Sequence, residues 1–227
     1  MAYGLSKMVG GPILHLAFRP WVEGKQYVPE NGAAILASNH LSIMDSVFLP
    51  LVLDRDVVFV AKQEYFTGTR PIDRLTARFM RSSGQLPVNR GNNRAAQEAL
   101  DASLGVLKAG GLFGIYPEGT RSPDARLYRG RTGVAWLALT ADVPVVPVAM
   151  INTERALPPG TRIPRPVKVG IRFGPPMTFE EYKGQAGKAR ARRAVTDQIV
   201  AAIGELSGQE YVPNYAPKRN ADPDAGA

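Results

Sequence analysis

The sequence predicts an α/β fold in which a mostly parallel central sheet is flanked by helices, with an N-terminal amphipathic helix. Three observations predict it. Short apolar runs, of the kind buried on both faces of a sheet, alternate with longer stretches of helical periodicity almost throughout. No internal repeat, low-complexity run or linker interrupts that alternation, so residues 1–217 read as one domain and 218–227 as a disordered tail. Polar motifs stand just past several strands, where open α/β sheets bind ligands.

Taken in order, Leu5, Met8, Val9, Pro12, Ile13 and Leu16 form an apolar stripe at helical spacing. The segment 5–18 is shorter than the roughly 20 apolar residues that a spanning helix needs, and it lacks the basic start and cleavage site of a signal peptide. Two readings stay open, a helix packed on the domain and a helix lying partly in a membrane interface. Residues 33–38 form a buried strand behind the Asn31-Gly32 turn, and Ile43 to Leu53 a helix. Val57 to Ala61 is a second buried strand, Ile72 to Arg81 a helix, and Leu86-Pro87-Val88 a short strand. Asn92 to Lys108 is a helix closed by Gly110-Gly111. Leu112 to Tyr116 is a strand, Thr132 to Ala141 a helix, and Val145 to Ile151 a buried strand. Pro147 inside that last run places it at an edge or marks an irregular rim. Val167 to Phe173 alternates and reads as a strand nearer the edge, and Lys188 to Leu206 is the C-terminal helix.

The composition excludes some chemistry. There is no cysteine, hence no disulfide, no thiolate metal site and no thiol nucleophile, and two histidines leave too few ligands for a typical zinc site. No metal is expected. The net charge of +8 favours anionic partners. The basic residues are not interleaved with aromatics, which argues against a nucleic-acid partner.

Chemistry concentrates in Asn39-His40-Leu41-Ser42-Ile43-Met44-Asp45. Imidazole titrates near neutral pH, so His40 can take a proton from a hydroxyl, and a carboxylate such as Asp45 can fix its tautomer and stabilise the imidazolium. The second motif is Tyr116-Pro117-Glu118-Gly119-Thr120-Arg121-Ser122, behind a strand. Pro117 and Gly119 set a tight turn, Arg121 offers a planar fork for phosphate, and Glu118 can accept from a hydroxyl or hold an arginine. By itself this motif also reads as an ordinary strand-end turn with a surface ion pair. Arg90, after Leu86-Pro87-Val88-Asn89, is a further phosphate ligand candidate or simply a solvated loop residue. If the strands are parallel, these motifs converge on one sheet edge.

Together with the apolar-proline block Val143 to Val148, these segments resemble the glycerophospholipid acyltransferase family, whose best-known members are 1-acyl-sn-glycerol-3-phosphate acyltransferases. The resemblance implies transfer of a fatty acyl group from a thioester, on coenzyme A or acyl carrier protein, to the free hydroxyl of lysophosphatidic acid. Glycerol 3-phosphate or another lysophospholipid is the alternative acceptor. It implies that His40 is the general base, that Asp45 orients it, and that Arg90 and Arg121 bind the acceptor's phosphate. Glu118, Gly119 and Thr120 would shape the acceptor site. No cofactor is implied beyond the donor itself.

The residue chemistry agrees. A thioester is already activated, so direct attack by the hydroxyl needs no enzyme nucleophile, and no Gly-x-Ser-x-Gly elbow is present. An oxyanion donor is needed, for which backbone amides near His40 are candidates. A peripheral attachment at the cytoplasmic face of a membrane is expected; basic residues from Arg155 to Arg193 read either as facing anionic headgroups or as an ordinary solvated surface. A non-catalytic binder of anionic lipid is the rival of another class.

Overall fold

In the computed structural model, the residues described are 11–12, 14–67, 74, 77–78, 85–88, 93–158, 161 and 163–217. Ten strands and six helices are named among them. The strands are β1 (Trp21–Glu23), β2 (Ala34–Ser38), β3 (Val57–Val58), β4 (Val60–Lys62), β5 (Leu86–Val88), β6 (Leu112–Ile115), β7 (Leu127–Tyr128), β8 (Val145–Ile151), β9 (Gly170–Phe173) and β10 (Tyr211–Val212). The helices are α1 (Asp45–Leu51), α2 (Glu64–Thr67), α3 (Asn93–Lys108), α4 (Gly133–Ala141), α5 (Thr153–Ala156) and α6 (Ala189–Ser207).

Six strands form the central sheet in the order β1-β9-β8-β2-β6-β3, and every pairing is parallel except β8 with β9. β2 is central and buried throughout, with Ala34 opposite Leu112 on β6 and Ile35 opposite Val145 on β8. Its side chains alternate between two cores, as the pleat requires. Ala34 and Leu36 join Phe48, Leu49, Val57, Phe59, Val146 and Val148 on one face, which α1 covers. Ile35 and Ala37 join Phe113, Leu137, Val195, Ile199 and Ile203 on the other, which α3, α4 and α6 cover. Successive apolar residues in the strands are therefore explained by helices on both sides of a largely parallel sheet.

The structure redraws the expected elements in four places. The run Val57 to Ala61 is not one strand. It breaks at Phe59, and β4 leaves to pair with β5 in a separate two-stranded sheet. β8 is interior, not an edge strand. Its Pro147 is tolerated because its missing N–H would face the β9 side just where β9 has ended, and there Gly174 N–H donates to the Pro147 carbonyl at 2.8 Å. β9 starts only at Gly170; as expected it lies near the edge, with β1 alone outside it. Finally, β7 and β10 pair with each other and tie the chain after α6 back to the segment after β6.

The expected helix over 5–18 is described only at residues 11–12 and 14–18, which are helical; its remainder lies outside the described residues. So do most of the expected helix Ile72 to Arg81 and the tail from Lys218. No helix among the described residues is long and apolar enough to cross a membrane.

Parallel pairing brings the carboxyl ends of β2, β6 and β8 to one edge of the sheet, together with the amino ends of β9 and β1. The opposite edge is stitched by Arg55, which donates to the carbonyls of Pro29, Gly32 and Gly110. The carboxyl edge carries the polar motifs.

Candidate active site

Asn39 and His40 follow β2 directly. Asn39 is buried, and its amide works as one more rung between β2 and β8. Oδ1 accepts from Met150 N–H at 2.7 Å, and Nδ2 donates to the Met150 carbonyl at 3.0 Å. Nδ2 also donates to Gln209 Oε1, whose own amide donates to the Ala125 carbonyl. The backbone entering His40 is thus fixed from both sides.

His40 Nδ1 lies 2.9 Å from Asp45 Oδ2. The same oxygen accepts from the backbone N–H of Leu41 at 2.7 Å and of Ser42 at 2.9 Å. Asp45 is fully buried at the first residue of α1, a position where the helix dipole favours a negative charge. Its other oxygen, Oδ1, is buried and has no partner among the described residues. The carboxylate therefore closes the loop 40–45 and holds the imidazole with a single oxygen. His40 keeps 16% of its side chain exposed. With Nδ1–H directed to Asp45, the lone pair of the neutral ring sits on Nε2.

The ring is held by its face as well. Tyr116, just past β6, stacks on His40 with centroids 3.8 Å apart and planes 9° from parallel. The Tyr116 hydroxyl lies 2.8 Å from Ser46 Oγ, and Phe59 backs the tyrosine at 5.4 Å. Phe59 fits because β6 carries Gly114, where an added Cβ would meet the Phe59 ring at 2.2 Å. Burial pushes the Tyr116 phenol well above its usual range, and the Asp45 charge adds to this, so the ring stays neutral.

Glu118 is 1% exposed. Its Oε1 accepts from His40 N–H and its Oε2 from Tyr128 N–H, both at 3.0 Å. Desolvation raises its pKa from 4.5 to about 7, against the lowering effect of those two amides. Ser122 N–H donates to the His40 carbonyl at 2.7 Å, so the two motif loops are joined by backbone and side chain together.

Gly119 has φ +75°, a conformation that favours glycine, and the Arg131 side chain lies close over it, with Cδ and Nε 2.9 Å from where a Cβ would stand. Thr120 and Arg121 follow in the same turn, partly exposed. Arg90 lies outside the described residues.

The structure thus brings His40, Asp45, Glu118 and Gly119 together. It bears on two expectations. Each Glu118 oxygen already accepts one backbone amide and the side chain is 1% exposed, so its place here is under the His40 loop. The amides of His40, Leu41 and Ser42 are likewise taken by the two carboxylates, so they are not free oxyanion donors. Sequence reasoning gave Asn39 and Tyr116, the opening residues of the two motifs, no role of their own, and did not single out Ser46. The partners of Asn39 and Tyr116 are distant in sequence or set by packing.

The basic residues also divide. Arg172 pairs with Glu23, and Arg193 with Asp197, so neither joins a free surface patch. Arg155, Arg165 and Lys168 are exposed in the segment between β8 and β9, at the carboxyl edge. The exposed aliphatic residues Leu16, Ile43 and Ile163 hang off the same edge.

Comparison with known proteins agrees with this geometry. A family model described as Acyltransferase matches residues 19–151, which include both motif loops. The chain belongs to the acyltransferase family. Among curated relatives, a 1-acyl-sn-glycerol-3-phosphate acyltransferase of Limnanthes alba is 29% identical over 177 residues, covering 77% of this chain and 60% of that protein. One of Bacillus subtilis (strain 168) is 25% identical over 190 residues, covering 83% of this chain and 88% of that protein. The chain therefore spans about 60% of the length of the Limnanthes relative. The crystal structure of the 1-acyl-sn-glycerophosphate (LPA) acyltransferase PlsC from Thermotoga maritima superposes with a TM-score of 0.67 at 26% identity, covering 90% of this chain and 79% of that one. The acyltransferase fold is therefore shared well beyond the matched motifs.

Proposed function

We propose that this acyltransferase moves a fatty acyl group from a thioester to the free hydroxyl of 1-acyl-sn-glycerol 3-phosphate, giving phosphatidic acid. The observation that carries the reading is the bond from His40 Nδ1 to the buried Asp45, which leaves Nε2, on a side chain 16% exposed, as the basic nitrogen. The names of the relatives support the acceptor.

In this reading Nε2 takes the proton from the acceptor hydroxyl as its oxygen attacks the thioester carbonyl. Asp45 stabilises the imidazolium. The tetrahedral intermediate then collapses, the carbon–sulfur bond breaks, and the thiolate leaves with the proton returned from Nε2. The enzyme forms no covalent bond. Positioned base catalysis supplies about 10²–10⁴-fold, and holding the two substrates together supplies much of the remainder. The tyrosine face favours the imidazolium as it forms.

Arg121 and Arg90 are the proposed ligands of the acceptor's phosphate, with Gly119 and Thr120 shaping its approach. Glu118 is a positioning residue that holds the His40 backbone. The donor is an acyl thioester on coenzyme A or acyl carrier protein. A membrane-surface position is supported by Leu16, Ile43 and Ile163 beside Arg155, Arg165 and Lys168 at the site's own edge. The test is incubation of the protein with an oleoyl thioester and either lysophosphatidic acid or glycerol 3-phosphate, with product read by mass spectrometry. Diacyl product from lysophosphatidic acid is expected. Product only from glycerol 3-phosphate would change the acceptor, and lipid binding without any transfer would favour a non-catalytic role.

A further inference from the structure

A second basic feature flanks the Glu118 turn, and the transfer mechanism does not use it. Gly130 is set flush against the protein, where an added Cβ would meet Val200 Cγ2 at 2.8 Å, Thr196 Cγ2 at 2.9 Å and Pro117 Cβ at 3.1 Å. Its carbonyl accepts from Arg193 Nη1 at 2.7 Å. On either side, Arg129 N–H donates to the Asn214 carbonyl at 3.0 Å and Arg131 N–H to the Pro117 carbonyl at 2.7 Å. The backbone of this tripeptide is therefore pinned. Arg129 is half-buried and Arg131 exposed. Both guanidinium groups lie over one ring, that of Tyr215, at 5.5 Å for Arg129 and 5.2 Å for Arg131. The stem of Arg131 runs past Gly119, so the feature adjoins the motif turn.

Nearby acids are already engaged. Asp124 and Glu210 pair with Arg126, and Asp197 pairs with Arg193. Glu118 serves two backbone amides. Among the described residues, neither Arg129 nor Arg131 has an acidic partner or an acceptor for its guanidinium. Two like charges held on one aromatic platform without a counter-charge repel each other and attract an anion.

The geometry points to a phosphate-binding site formed by Arg129, Arg131 and Tyr215 for the carrier of the acyl donor. This rests on the acyl-transfer reading above. Guanidinium forks match phosphate oxygens two at a time. Both substrates of that reading carry phosphate. The acceptor's phosphate is joined to the reacting hydroxyl by a short glycerol unit. The carrier's phosphate stands at the far end of a long pantetheine arm and stays at the surface, as does Tyr215, 47% exposed.

The test is direct binding, so that it does not depend on turnover. The full chain is titrated with coenzyme A and with 4′-phosphopantetheine, and pantetheine serves as the phosphate-free control. Arg129→Gln with Arg131→Gln should weaken the two phosphorylated probes by on the order of tenfold or more and leave pantetheine unchanged. Arg129→Lys with Arg131→Lys should recover part of the loss, and Tyr215→Leu should show a smaller one. Unaltered affinity for both phosphorylated probes in the Gln variant would overturn the site, as would a wild type that binds neither. Weaker binding of lysophosphatidic acid alone, or of phosphatidylglycerol-containing vesicles alone, would also overturn the donor assignment. Absence of phosphatidic acid formation alongside the expected binding loss would strike the acyl-transfer reading and not this site.

Discussion

Asp45, behind β2, gathers His40 and two backbone amides on one oxygen and leaves the other without a partner, whereas Glu118, behind β6, spends each oxygen on one amide. Both carboxylates are buried and both grip the loop that carries His40. Only Asp45 touches the imidazole. Desolvation raises the pKa of Glu118 to about 7. The difference teaches how one sheet edge divides labour. In the proposed mechanism the β2 turn holds the charge that a forming imidazolium needs, and the β6 turn holds the backbone on which that imidazole is mounted.

The comparison can be broken most sharply at His40 and Asp45. His40→Ala should lower transfer by about 10²–10⁴-fold while lipid binding persists, read by product formation beside vesicle sedimentation. Asp45→Asn should separate charge from scaffold. An amide oxygen can take the three donors, so the melting temperature should stay near wild type, while transfer falls by on the order of 10³-fold. Asp45→Ala leaves two buried amides unpaired and should cost a further ~1–3 kcal/mol of stability for each.

The stack is next in size. Gly114→Ala puts a methyl 2.2 Å from the Phe59 ring and must shift Phe59, which backs Tyr116. A stability loss of about 1–3 kcal/mol is expected in denaturant titration, with a fall in kcat through the displaced His40. Tyr116→Phe keeps the ring and removes only the bond to Ser46, so about 0.5–1.5 kcal/mol and a few-fold change in kcat are expected.

Glu118 sharpens the comparison through pH. Its native pKa lies above its ordinary value, so the folded protein holds that proton more tightly than the unfolded chain does. The resulting stabilisation is full below about 4.5 and is lost as pH rises through about 7. Glu118→Gln removes the titration and sets an amide N–H2 against a backbone N–H. Its melting temperature should lie below wild type at pH 5, and the gap should narrow by pH 8. A constant gap would show that Glu118 does not titrate in that window.

The sequence made much of this legible, and the exceptions have causes. Asn93–Lys108 and Val145–Ile151 were readable because long periodic or apolar runs carry their own signal. The His40–Asp45 pair was readable because both members lie in one short loop. The role of Glu118 was not, because its partners, His40 N–H and Tyr128 N–H, are brought to it by the fold. β1, β7 and β10, of two or three residues each, are too short to show a period. At the break, the Phe59 ring packs over Gly114 on a strand far along the chain, a packing fact that local pattern does not carry.

The most direct measurement is phosphatidic acid formation from lysophosphatidic acid and an oleoyl thioester by wild type and Asp45→Asn, with both melting curves recorded. The account predicts near-equal stability and a loss of activity on the order of 10³-fold in the variant. A folded Asp45→Asn protein as active as wild type would contradict the His40–Asp45 base.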